Sequence, residues 1–106
     1  MMTDAGIVLT TAGSSQEAEK IAASLVERRL AACVNIIPQI QSVYRWEGKV
    51  ERTTEWLLLI KTRIELFASL RDALHELHSY EVPECIMLQV CDGAEPYLRW
   101  IAQNTA

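Results

Sequence analysis

A pair of β-forming stretches too long for the body that carries them constrains this chain more than any other feature. The first runs from Arg29 toward Lys49 and the second returns from Val50 to Lys61, with Ile, Val, Tyr and Trp dominating both arms. Gly48 stands between Glu47 and Lys49, so Trp46 to Lys49 is read as the turn. A straight strand from Cys33 to Trp46 would span about 45 Å at about 3.3 Å per residue. A compact chain of 106 residues has a radius of gyration near roughly 13 Å, hence a diameter well below that span. The hairpin must therefore bend, project from the body, or be covered by another subunit. Pro38 is the expected bend, because it removes a ladder donor and is tolerated at bulges and edges. An exposed apolar hairpin invites aggregation, so its length points to oligomerisation.

The remainder of the chain is one domain, residues 1–106, with room for one core and none for a separate catalytic domain. Acidic side chains outnumber basic ones 14 to 10, giving a net charge of -4, and no basic stripe is present to neutralise phosphates. A nucleic-acid partner is therefore not expected. No apolar run approaches the roughly 20 residues that span a bilayer, and no signal-peptide pattern is present, so no membrane partner is expected and the cytoplasm is the expected compartment. Cys33, Cys85 and Cys91 are odd in number and lack CxxC spacing, which argues against a disulfide framework or structural zinc.

Taken in order, Gly6 to Ala12 reads as a strand. Ser14 to Ala32 reads as a helix opened by Ser14 and Glu17 at capping-box spacing, with Ala18, Ile21, Ala22, Leu25 and Val26 as its apolar stripe. After the hairpin, Thr62 and Glu65 repeat the capping-box spacing and predict a second helix ending near Ser79. Pro83 stops that helix, and Glu84 to Cys91 reads as a fourth strand, with Cys85 and Cys91 on one face. Ala94 to Asn104 reads as a last helix capped by Asp92. Tyr44, Trp46 and Trp56 are expected to cluster near the hairpin tip. The order β-α-β-β-α-β with a helical tail predicts an α+β fold: an antiparallel sheet of split β-α-β type, helices on one face, and the other face apolar enough to need a partner.

Few residues carry a chemical signal. His75 and His78 are the only histidines, and their spacing is not HExxH. His78 is the better ligand candidate, because it borders the non-helical segment from Ser79 to Glu84. Its alternative is an ordinary helix-end role. Glu81 and Glu84 flank Pro83 and are candidates to coordinate a cation, with surface salt bridging as the alternative. Cys33 fits as a small hydrophobe. No phosphate-binding glycine loop or nucleophile elbow occurs, and the histidines stand far from the cysteines in sequence.

Several longer stretches together resemble the CutA family of divalent-cation tolerance proteins. They are the run from Arg29 to Pro38, the run from Ser42 to Glu51, Leu59 to Arg63, Tyr80-Glu-Val-Pro-Glu84, and Tyr97-Leu with Trp100-Ile101. The resemblance covers the chain from about Ile7 to Thr105. It implies a ferredoxin-like subunit in a tight homotrimer similar in architecture to the PII trimers, with the hairpin carrying inter-subunit pairing. It also implies a link to divalent metals and copper, with no established enzymatic activity. In a copper pattern known in a bacterial member, a first-strand Cys and two adjacent His precede the Tyr-Glu motif. Here Thr10 and Leu77 hold two of those positions and only His78 matches.

Two functions are placed ahead of a third, a small hydrolase or transferase, which would need His and an acid converging on a nucleophile. One is a non-enzymatic homotrimer that binds a divalent metal (copper or a similar ion) or a small ligand at subunit clefts, with His78, Glu81 and Glu84 as the metal residues. The other is a structural or signalling scaffold for a protein partner.

Overall fold

The computed structural model describes residues 2–106. Its elements are β1 (Ala5–Ala12), α1 (Ser15–Glu27), β2 (Cys33–Trp46), β3 (Lys49–Arg63), α2 (Phe67–Leu77), β4 (Ile86–Gln89) and α3 (Glu95–Gln103). The strands form one sheet in the order β2-β3-β1-β4 with every neighbouring pair antiparallel. This is the expected ferredoxin-like α+β arrangement with an added C-terminal helix.

The hairpin projects. The molecule measures 44 × 28 × 23 Å, with a radius of gyration of 14.2 Å. Glu47 and Gly48 form the two-residue turn, with φ of 49° and 79°, as a type I′ turn demands of both central residues. The expected break at Pro38 is a β-bulge. Ile37 pairs with Leu57 and Ile40 with Glu55, so Pro38 and Gln39 together oppose Trp56. Gln39 takes a positive φ of 54° to make it. Trp56 therefore stands at the bulge, paired with Ala12 of β1 and packed on the core, rather than near the tip with Tyr44 and Trp46.

One sheet face is covered by α1 and α2. Val8 and Ala12 of β1 and Leu58 and Ile60 of β3 meet Ile21 and Leu25 of α1 and Leu70 and Leu74 of α2, all fully buried. Each large side chain so buried contributes about 2 kcal/mol through the hydrophobic effect. The expected placement of all helices on one face is not what forms. Tyr97 of α3 lies under the Lys61 ammonium, 5.6 Å from ring to nitrogen, and Lys61 points away from the face to which its neighbours Ile60 and Thr62 contribute. So α3 covers one end of the second face and leaves Ile86 and Leu88 about half exposed.

Element boundaries depart from expectation where a side chain has a tertiary partner. α1 ends at Glu27, short of Ala32, in a Schellman-type stop. Leu30 N–H donates to Leu25 O and Arg29 N–H to Val26 O, both at 3.0 Å, with Arg29 at φ 59°. Thr62 caps nothing. It is fully buried at the end of β3, donating its hydroxyl to Leu30 O at 2.7 Å, and a 3-10 turn at Ile64–Leu66 leads into α2. α2 stops at Leu77, and His78 already has extended geometry. β4 is four residues long, because beyond Gln89 the chain continues only through Val90 bonds to Thr3 and Ala5. Cys85 and Cys91 thus flank the strand. Asp92 turns back to accept from Gly93 N–H at 2.8 Å, and α3 starts after Ala94 with Pro96 in its first turn.

Candidate functional site

Pro83 prevents helix after α2, so the chain from His78 to Cys85 must satisfy its polar groups some other way. It does so through Glu17 of α1, Glu55 of β3 and its own His78. Ser14 caps α1 by accepting from Glu17 N–H at 3.1 Å. That leaves the Glu17 carboxylate to accept from Gly13 N–H at 3.4 Å and from Ser79 N–H at 2.9 Å. Burial pushes this carboxyl up, but the Ser79 and Gly13 bonds and the nearby His78 outweigh it and hold the group below its ordinary range.

His78, 8% exposed, is the second anchor. Its Nδ1 accepts from Tyr80 N–H at 3.1 Å, which places the ring proton on Nε2, where it donates to Thr11 O at 2.6 Å. The rings of His78 and Tyr80 lie 4.6 Å apart. The third anchor is Glu55 of β3, whose Oε2 accepts from the Tyr80 hydroxyl at 2.7 Å. Burial first, then the bond to Glu55, pushes the Tyr80 hydroxyl well above the ordinary phenol range, so it remains a donor.

Held this way, the segment walls a cleft of about 650 Å³ against the hairpin stem, within the size range of small-ligand sites. Glu55, Glu81 and Glu84 line it together with Tyr44, Trp46 and Tyr80, and among the described residues no Lys, Arg or His does. Glu55 is only 7% exposed, and Tyr80 is its one hydrogen-bond donor among the described residues. The ion pairs among the described residues, Arg63 with Glu65, Arg71 with Asp72 and Arg99 with Glu95, leave it without a cation.

The three residues picked out from sequence thus have different surroundings. Glu81 and Glu84 both line the cleft. His78 sits outside its lining with both ring nitrogens engaged, and no three His, Cys, Asp or Glu side chains converge as a metal group among the described residues. Thr10, at the position that resembles the cysteine of a bacterial member's copper pattern, is fully buried, its hydroxyl without a hydrogen-bond partner among the described residues. The cysteines are elsewhere: burial raises the Cys85 thiol, opposed by Arg71, and Cys33 makes only a long contact, 3.9 Å, to Asn35. Sequence reasoning missed Glu55. Its one available signal is an acidic residue beside Trp56 in an otherwise apolar return strand.

Comparison with known proteins agrees with this fold over nearly the whole chain. A family model described as CutA1 divalent ion tolerance protein matches residues 6–104. The divalent-cation tolerance protein CutA of Thermus thermophilus is 46% identical over 99 residues, 93% of this chain and 96% of that protein. Human Protein CutA is 48% identical over 95 residues, 90% of this chain but 53% of its own length, so this chain spans about half of that relative. A solved structure of the Thermus thermophilus protein superimposes with a TM-score of 0.94 at 45% identity, covering 96% of this chain and 99% of that one.

Proposed function

Because the chain belongs to the CutA1 divalent ion tolerance family, we propose that it is a non-enzymatic homotrimer that holds a divalent cation, copper or a similar ion, or a small ligand at clefts on its subunit borders. The observation behind this reading is the acidic cleft, with Glu55, Glu81 and Glu84 among its lining and no basic side chain among the described residues. Glu81 and Glu84 are the proposed carboxylate ligands. His78 joins them by giving up its bond to Thr11 or to Tyr80, and a neighbouring subunit completes the set. Oligomerisation is supported by the projecting hairpin and by exposed apolar side chains, Val43, Trp46, Ile86 and Leu88 among them. No helix among the described residues is long and apolar enough to cross a membrane, and the cytoplasm is the location we assign.

Calorimetric titration with Cu²⁺ and Zn²⁺ tests the site, with His78→Ala and the double variant Glu81→Gln, Glu84→Gln as comparisons. Saturable binding that weakens in the double variant is the expected result. Unchanged affinity in His78→Ala removes His78 from the site, and unchanged affinity in all variants refutes it. Sedimentation equilibrium at micromolar concentration tests the trimer, and a dominant monomer sinks it.

The exposed apolar side chains of Val82, Ile86 and Leu88 favour a second reading, a scaffold for a protein partner. A stoichiometric partner in pull-down, with metal affinity no better than millimolar, would replace the first reading by this one.

A further inference from the structure

We infer that the buried carboxylate of Glu55 is neutralised across a subunit border, by the arginine pair Arg45 and Arg52 on the projecting hairpin of a neighbouring copy. The inference rests on the homotrimer proposed above and names side chains that join its subunits.

The first observation is that this chain does not neutralise Glu55 itself. A carboxylate withdrawn from water requires a counter-charge or a full set of donors. Glu55, 7% exposed, has the Tyr80 hydroxyl as its one donor among the described residues, and no ion pair there includes it. Strand register explains why no cation of its own hairpin reaches it. Successive side chains on a strand alternate between faces. Glu55 pairs with Ile40, whereas Arg52 pairs with Val43 and Arg45 with Val50, so both arginines lie on the face opposite Glu55. Lys49 and Lys61 share its face, but each stands six residues away along β3, about 20 Å.

The second observation is the surface those arginines occupy. Beyond the Pro38 bulge, one hairpin face carries Val43, Arg45, Val50 and Arg52 and no acidic strand residue. Neither arginine has an ion-pair partner among the described residues, Arg45 making only a long contact to Gly48 O at 3.5 Å. Val43 and Val50 are more than half exposed. The opposite face carries Tyr44, Trp46, Glu51 and Glu55 with one cation, Lys49, at the turn, and Glu81 and Glu84 line the cleft beside it. A hairpin that is basic and apolar on one face, aromatic and acidic on the other, is complementary to a second copy of itself. Packing the first face of one copy on the second face of the next is a head-to-tail contact, and three such contacts close into a ring. The contact covers the valines and the rings of Tyr44 and Trp46. It also brings to Glu55 a guanidinium, whose fork of donors suits a buried carboxylate.

Sedimentation equilibrium over a dilution series measures subunit association for wild type, Glu55→Gln, the double variant Arg45→Gln, Arg52→Gln, and the triple combination. Lys20→Gln, at an exposed position of α1, is the control. Where assembly is too tight to dilute, exchange of dye-labelled subunits reads the same dissociation. We expect the double arginine variant to weaken association at least about thirtyfold and Lys20→Gln less than about twofold. Made in the Glu55→Gln background, the two arginine changes should cost less than about threefold. Equal weakening in both backgrounds, or none in either, overturns the inference. Arg45→Lys and Arg52→Lys serve if Glu55→Gln does not fold. Carbodiimide should then join Glu55 to the introduced amine of a second chain, giving covalent dimers whose linked peptides contain Glu55. Linkage of Glu55 to Lys20, Lys49 or Lys61, or to no second chain, overturns the inference. Zn²⁺ titration of the same variants keeps the two readings apart. A trimer that binds Zn²⁺ but shows no coupling between Glu55 and the arginines overturns this inference alone, and a dominant wild-type monomer overturns the trimer with it.

Discussion

Tyr80→Phe removes one oxygen and is the sharpest test of how the cleft is held. The ring contact to His78, with centroids 4.6 Å apart, survives the change, and so does the Tyr80 N–H bond to His78. What is lost is the 2.7 Å hydroxyl bond to Glu55, a residue only 7% exposed. A hydrogen bond to a charged group contributes about 1.5–3 kcal/mol, and leaving a buried acceptor unmet costs a similar amount. We therefore expect Tyr80→Phe to destabilise the fold by about 2 kcal/mol. Equilibrium urea denaturation at one fixed protein concentration reads this, the concentration being held because assembly is linked to stability. A double-mutant cycle with Glu55→Ala, which removes the acceptor, should return a coupling energy of about 2 kcal/mol between the two positions. Tyr97→Phe is the control, since the Tyr97 ring stacks on Trp100 at 5.5 Å and its hydroxyl makes no hydrogen bond among the described residues. It should stay within about 0.5 kcal/mol of wild type. A coupling below about 0.5 kcal/mol would refute the argument that this bond anchors the cleft wall.

Glu17→Gln tests the neighbouring anchor. The folded Glu17 carboxyl lies below its ordinary value of 4.5, so its contribution to stability is present above that pH and is lost as pH falls through the folded value. The gap between wild type and variant in urea midpoint should therefore close in acid, and a pH-independent gap would contradict the role given to Ser79 and Gly13. The two positive-φ positions of the hairpin should respond oppositely. Gln39→Gly, at φ 54°, should stabilise by about 0.5 kcal/mol, and Gly48→Ala, at φ 79°, should destabilise by about 1 kcal/mol. Effects of the same sign would refute the backbone argument.

The parts of the fold legible in the sequence are those governed by local rules. Alternating β-formers around Glu47-Gly48 located the hairpin, Pro38 located the bulge, and Ser14 with Glu17 located the start of α1. The misreadings occur where a residue answers to a distant partner. Nothing in the 28–32 stretch announces that Arg29 takes the left-handed conformation usually filled by glycine, so α1 was extended past its end. Thr62 has the spacing of a cap but spends its hydroxyl on Leu30, 32 residues away. Asp92 has the right chemistry for a cap, yet Pro96 marks the helix start more faithfully. The candidate site was half legible for the same reason. Glu81 and Glu84 stand beside a visible Pro83. Glu55 and Tyr80 meet across 25 residues, and Glu17 and Ser79 across 62, separations that periodicity does not report.

The bond ranges within the sheet also have a kinetic consequence. β2 and β3 are joined by a two-residue turn, so their ladder zips from neighbour to neighbour with little loop-closure entropy. The opposite wall of the cleft belongs to the segment leading into β4, whose docking onto the first residues of the chain ties Thr3 to Val90 across 87 positions. Contacts of that reach form late, after the hairpin is already in place. The cleft is thus among the last features to be completed and among the first to be lost. A ligand that occupies it finds no binding site in the folding transition state, so it should slow unfolding while leaving the rate of folding unchanged.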